Sequence, residues 1–151
     1  MQTLSTNPAF LIYCLAASLI SLNLMLVWGY SGGARGKTKT TPNTEDAGTV
    51  SKGAQIVAAD PPEVARVLRA FNNLAANALP FLVLGLLYVL LGATPTMAWI
   101  LFGGYAGIRV LYTFAYIGGK QPWRTLTFVV AQLLTLALLV QVVRAAVAGM
   151  M

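Results

Sequence analysis

The sequence predicts an all-α integral membrane protein, a bundle of four transmembrane helices forming one domain over residues 1–151. Three observations carry that reading. The chain is 58% hydrophobic and only 9% charged, where a soluble domain carries about 25% charged residues. Its mean hydropathy is +0.73. Four apolar segments, each near the length of about 20 residues that crosses a bilayer, alternate with links rich in glycine, proline and polar residues.

The first segment runs from about Pro8 to Tyr30. No positive side chain flanks its start, and its apolar stretch is too long for a signal peptide, so it is expected to stay as a helix. Residues 31–61 begin "SGGARGKTKTTPNTEDAGTVSKGAQ". They show no helical or strand period and read as a loop. The second segment, 62–91, opens at "DPPE". Asp60 can cap it, Pro61 suits a first turn, and Glu63 completes a capping-box-like spacing. At about 1.5 Å per residue it exceeds the hydrocarbon core, so its first turns stand in the interface. "GATP" links it to a third segment, about 95–117, and "GGKQP" links that to a fourth, about 122–148.

Ten Lys/Arg oppose four Asp/Glu, for a net charge of +6. In a four-span chain the loops 31–61 and 118–121 share a side. They hold Arg35, Lys37, Lys39, Lys52 and Lys120, against Arg144 alone on the other side. The positive-inside rule puts both loops in the cytoplasm and both termini outside. The cations are scattered rather than striped, so they point to topology and an anionic ligand, with no nucleic-acid partner. Cys14 is the single cysteine, which excludes an internal disulfide and fits a small core hydrophobe. With no histidine and four scattered carboxylates, no metal site is expected.

The polar residues inside the apolar segments are the candidates for function. On a helical wheel of the second segment, Arg66, Arg69, Asn73 and Asn77 fall within roughly 80°. Pro80 shares that face and frees the carbonyl of Ala76, four residues back. The third segment aligns Tyr105, Arg109, Tyr112 and Tyr116 on one face. Gly103 and Gly107 form a GxxxG pair on another face, expected to pack closely on a neighbour. Arg124 opens the fourth segment on the same side of the membrane. Each residue also has a simpler reading. Arg66 and Arg124 sit where arginine snorkels to headgroups, Tyr116 where an aromatic belt lies, and the asparagines can bridge helices. Arg109 resists such a reading. A cation near the bilayer centre costs roughly 2.5 kcal/mol or more, and no carboxylate follows Glu63. Asp60 or Glu63 must fold back, or water must reach Arg109, or an anionic ligand must pair with it. Guanidinium, amide and phenol groups together suit a ligand with several carboxylates.

"DPPEVARVLRA", "VLRAFNNLAANALPFLVLGLLY" and "RVLYTFAYIGGKQPWRTLTF" carry a resemblance to the MAPEG superfamily, the membrane-associated proteins of eicosanoid and glutathione metabolism. Its members include microsomal glutathione transferases and the microsomal prostaglandin E synthase, and the resemblance covers essentially the whole chain. It implies a homotrimer with glutathione as co-substrate in clefts between subunits near the cytoplasmic face. Arg69, Asn73, Arg109, Tyr112 and Tyr116 match its glutathione-contacting positions, to which the wheel adds Arg66 and Asn77. Arg124 matches the arginine that stabilises the thiolate. Thr125 stands where the synthase has a serine, and Asp46 resembles an aspartate in that enzyme's first loop. Two positions depart from the pattern. Ala76 replaces a glutamate seven residues after Arg69, and Phe71 stands where His or Gln is common.

The function the resemblance implies is glutathione-dependent transfer or peroxide reduction on lipophilic electrophiles delivered from membrane lipid. Detoxification and lipid metabolism are the implied settings. A thiol of ordinary pKa, about 8.5, is mostly protonated at neutral pH, so a nearby cation favours the reactive form. The absence of a carboxylate at Ala76 keeps a non-catalytic lipid-binding scaffold open as the alternative. A small transporter is a third class, but its broken helices in matched halves are missing. The compact chain, without a retention tail, favours a bacterial inner membrane over a microsomal one.

Overall fold

The computed structural model describes residues 3–150. Long helices dominate it: α1 (Pro8–Thr38), α3 (Pro62–Leu90), a rod spanning Pro95–Ile117, and α6 (Trp123–Ala148). The rod comprises α4 (Pro95–Ala98), a wide π-type turn (Trp99–Gly103) and α5 (Gly104–Ile117). All four are long and apolar enough to cross a membrane. Between α1 and α3 lie β1 (Thr40–Thr41), the short helix α2 (Thr44–Gly48) and β2 (Gln55–Ile56). The two strands pair in parallel, Thr40 opposite Gln55 and Thr41 opposite Ile56.

Local chemistry sets the helix starts. Asn7 Oδ1 accepts from the Ala9 and Phe10 N–H groups ahead of a proline at the first turn. Thr94 does the same for Met97 before Pro95. The start of α3 differs from expectation. Its cap is Pro61, with no side-chain bond. The Asp60 carboxylate turns away and takes the Arg35 guanidinium in a fork, at 3.0 to 3.2 Å.

That ion pair belongs to a second correction. The segment read as loop from residue 31 continues α1 to Thr38. Glycines weaken a helix by about 1 kcal/mol each, but here packing overrides propensity. Ser31 and Ala34 are buried, and Val27 and Ala34 share an apolar cluster with Val64, Val67, Ala70 and Leu74 of α3. At about 1.5 Å per residue the last turns of α1 stand beyond the hydrocarbon core. Lys39 ends the helix in the left-handed conformation, φ 50°.

The main core runs down the centre of the bundle through Ile20, Ala78, Phe81, Phe102, Tyr105 and Leu138. Phe81 and Tyr105 stack with ring centroids 3.5 Å apart. A Cβ at Gly85 would lie 2.9 Å from Tyr13 Cε2 and 3.3 Å from Phe102 Cε1, so glycine sets the approach of α1 to α3. The expected close face at Gly103 and Gly107 is not used within the chain. A Cβ at Gly107 meets nothing within 4 Å, and at Gly103 it meets only Trp99 of the same rod. Outside, Leu15, Met25, Leu79, Phe114 and Leu133 are exposed. So broad an apolar exterior is the face a protein turns to lipid.

Candidate functional site

The ends of α1 and α5 and the starts of α3 and α6 meet at one end of the bundle. There Asn73, Tyr112, Tyr116, Arg124, Thr125 and Phe128 line a cleft of about 240 Å³. Helical spacing explains its walls. Tyr112 and Tyr116 lie four residues apart on α5 with ring centroids at 5.5 Å, and Phe128 of α6 closes on Tyr112 at 6.3 Å.

Arg124 is the cation of the cleft. Its Cζ lies 5.1 Å from the centre of the Tyr116 ring, a cation–π contact. Gln121 fixes the edge of the guanidinium. With its amide turned to satisfy both ends, Gln121 Oε1 accepts from Arg124 Nε at 3.2 Å and Nη2 at 2.7 Å, and its amino group donates to Thr125 Oγ1 at 3.0 Å. The opposite orientation leaves only a bond from the Thr125 hydroxyl to Gln121 Oε1. It also sets the amide NH2 against a guanidinium, so the first orientation is the physical one. Both partners of Arg124 are neutral, and among the described residues its charge faces no carboxylate within 4 Å.

Arg109 sits behind the cleft, fully buried. Its Nε donates to Tyr105 Oη at 3.2 Å, and Nη1 and Nη2 reach Asn73 Oδ1 and O at 3.4 and 3.5 Å. The Tyr105 and Tyr112 rings lie 5.6 and 5.0 Å from its Cζ. Of the three ways to satisfy Arg109, a carboxylate folding back is not the one taken: Asp60 pairs with Arg35, and Glu63 lines a different cavity. Neutral oxygens and aromatic faces disperse its charge instead.

The remaining candidates separate. Asn77 turns onto its own helix, its amide donating to Asn73 O at 2.7 Å. The Tyr105 hydroxyl donates to the Asn77 carbonyl at 2.9 Å, so the carbonyl caught near Pro80 is one residue beyond Ala76. Arg66 lines another cavity with Lys37 and Glu63. Arg69, Asn72 and Ala76 form an exposed stripe on α3. Gln121 and Phe128 complete the site and were not singled out in the sequence. Gln121 lies in a link, where only the turn decides the direction of an amide, and Phe128 looks like any other apolar residue of α6.

The sequence model of the MAPEG family matches residues 11–144. The chain belongs to the MAPEG family. Human prostaglandin E synthase is 34% identical over 129 residues, 85% of this chain and 84% of the relative. The Rattus norvegicus synthase is 34% identical over 143 residues, 94% and 90% of the two chains. Human microsomal glutathione S-transferase 1 is 33% identical over 135 residues, 87% of each. MAPEG membership and four apolar helices together make this an integral, multi-pass membrane protein.

Proposed function

We propose that the chain is a membrane-bound, glutathione-dependent transferase or peroxidase acting on lipophilic electrophiles, with Arg124 stabilising the thiolate. The observation that carries this reading is the presentation of Arg124. A guanidinium held by one neutral amide and one ring face, lining a cleft, is placed to take an anion. The name of one relative, microsomal glutathione S-transferase 1, supports glutathione chemistry.

The cleft residues fit the thiol and carboxylate parts of glutathione: one guanidinium, the Tyr116 and Thr125 hydroxyls and the Asn73 amide. When bound, glutathione would supply the sulfur nucleophile, its thiol proton passing to water and the sulfur bonding to an electrophilic carbon as the leaving group departs with its electron pair. Arg124 holds negative charge at the sulfur but, as a guanidinium, takes no proton as a general base. Tyr116 and Thr125 offer hydroxyl donors beside it, and Gln121 keeps the guanidinium edge from swinging away. Arg109 is a positioning residue here, bracing Asn73 and Tyr112 from behind.

One chain supplies only part of the site. A cleft of about 240 Å³ falls below the roughly 300–1,000 Å³ of ligand pockets. Arg69 and Asn72, on the exposed stripe of α3, are too polar to face lipid. A homotrimer that buries this stripe between subunits would complete the cleft, with Arg69 gripping a carboxylate across the interface. The excess of cations on the loop-bearing end supports a site at the cytoplasmic face, with both termini outside. Ala76 favours a second reading, since a lost carboxylate removes a partner for an ammonium group: a lipid-binding scaffold without chemistry.

Two measurements decide. Native mass measurement in mild detergent should show three chains; a monomer with full glutathione affinity would refute the assembly. Purified protein at saturating glutathione should show thiolate absorbance and conjugate a chromogenic electrophile. Arg124→Ala should keep affinity within a few fold, lose the thiolate signal, and lose more turnover than binding. A variant that keeps both signals removes Arg124 from the chemistry. A wild type without thiolate signal selects the scaffold.

A further inference from the structure

A second pair of cavities lies along the seam of α1 and α5 and shares no lining residue with the Arg124 cleft. The upper one, about 680 Å³, is bordered by Lys37, Glu63 and Arg66. The lower one, about 490 Å³, is bordered by Leu26, Val27 and Phe114, with Lys120 at its mouth. Tyr30 and Ile117 line both, so the two adjoin.

The seam is polarised. Its upper half stands in the interfacial turns, where α1 runs past the bilayer core and α3 begins. Its lower half descends beside the apolar stretch of α5. Three cations face one carboxylate, and among the described residues the only ion pair within 4 Å is that of Arg35 and Asp60, so none of the three is neutralised. The Arg66 guanidinium lies beside the 118–120 turn. Gly119 adopts φ +65°, which favours glycine, and a Cβ there would lie 2.5 Å from Arg66 Nη1, so the guanidinium rests against the turn that carries Lys120.

We propose that this cleft holds an anionic phospholipid of the leaflet on the loop-bearing side. Its phosphate sits among Lys37, Arg66 and Lys120, and one acyl chain runs down the groove between α1 and α5. Basic pockets between transmembrane helices at the cytoplasmic surface bind anionic headgroups, and guanidinium and ammonium groups are the usual partners of phosphate. A free anion would use the upper cavity and leave the apolar groove without an occupant. A lipid accounts for a cationic cavity and an apolar groove that adjoin at Tyr30 and Ile117. The proposal is independent of glutathione chemistry.

The test is native mass spectrometry of the full chain in mild detergent. It is offered equal amounts of palmitoyl-oleoyl phosphatidylglycerol and the phosphatidylcholine with the same chains. The glycerol lipid should be retained about tenfold better, since each interfacial cation favours an anionic headgroup. Lys37→Gln with Lys120→Gln should bring the ratio close to one, and Arg66→Gln should lower it alone. Ile117→Trp should reduce retention of both lipids by filling the groove. Lys120→Glu, on an exposed link, repeats the charge test with little risk to folding. Equal retention by wild type, or a preference that survives the charge variants, overturns the proposal. So does displacement by inorganic phosphate at the same concentration as lipid, which would mark an anion site without a lipid. Cross-linking of Phe114→Cys between copies would assign the groove to a second chain and overturn it as well.

Discussion

Replacing Arg109 with methionine isolates what a buried cation does in this bundle. Arg109 is fully buried, and removing a guanidinium from water costs several kcal/mol. Against this stands one well-formed charge-assisted bond, Nε to Tyr105 Oη at 3.2 Å, which contributes about 1.5–3 kcal/mol. The contacts to Asn73 at 3.4 and 3.5 Å are at the limit of hydrogen bonding and add less. Two ring faces at 5.6 and 5.0 Å contribute about 1–2 kcal/mol each when desolvated. The terms nearly cancel. Methionine keeps most of the length and leaves no orphan, because Tyr105 still donates to Asn77 O at 2.9 Å and Asn73 O still accepts from Asn77 at 2.7 Å. Arg109→Met should therefore change stability by less than about 1.5 kcal/mol, whereas Arg109→Ala should lose about 2–5 kcal/mol to the cavity it leaves. Unfolding of both variants in mixed detergent, followed by tryptophan fluorescence, measures the difference. Glutathione calorimetry adds the functional half: a positioning role should cost Arg109→Met less than about 1.4 kcal/mol, or tenfold. Equal destabilisation by Met and Ala would refute the cancellation. A binding loss of about 2–5 kcal/mol, the effect of truncating a desolvated charge pair, would make Arg109 a direct ligand contact.

Ala76→Glu restores a carboxylate on the exposed stripe of α3 and should tighten glutathione binding roughly tenfold, the size of one charge-assisted bond; unchanged or weaker affinity in calorimetry would show a site rebuilt for another ligand. Tyr105→Phe removes both the donor to the Asn77 carbonyl at 2.9 Å and the acceptor of Arg109 Nε at 3.2 Å and should cost at least the roughly 1–3 kcal/mol of one orphaned buried group; a neutral unfolding midpoint would show that both groups find other partners. Gly85→Val should cost about 1–3 kcal/mol by forcing Tyr13 and Phe102 apart. Gly107→Ala, into open space, should gain up to about 1 kcal/mol from helix propensity. If thermal midpoints in detergent rank the two glycine variants the other way, the close approach of α1 and α3 lies elsewhere.

The amino-acid sequence by itself determined the four spans, because apolar length and the energetics of bare backbone in lipid leave a helix as the one outcome for such segments. It also brought Tyr112 and Tyr116 together, and set Arg124 and Thr125 at the same end, because spacing within a helix and the order of the spans suffice for that. Tertiary structure decided the rest. A wheel gives a direction from one axis but not the neighbour that stands there, so Arg66, Arg69, Asn73 and Asn77 shared an arc in sequence but part in the fold: Arg66 lines another cavity, Arg69 lies exposed, and Asn73 and Asn77 bond to each other. Residues 31–38 are helical because Val64 and Val67, thirty residues on, cover Ala34, a contact that no local glycine or serine signals. Asp60 left its helix cap for Arg35 because a forked ion pair satisfies a carboxylate better than a single cap bond. Of the partners of Arg109, Tyr105 and Tyr112 share its helix face and follow from spacing, whereas Asn73 lies on another helix, and a neutral amide carries no charge pattern that could announce it in sequence. The link residue Gln121 became the partner of Arg124 only through the turn that ends α5 and starts α6, a geometry fixed by the packing of those two helices.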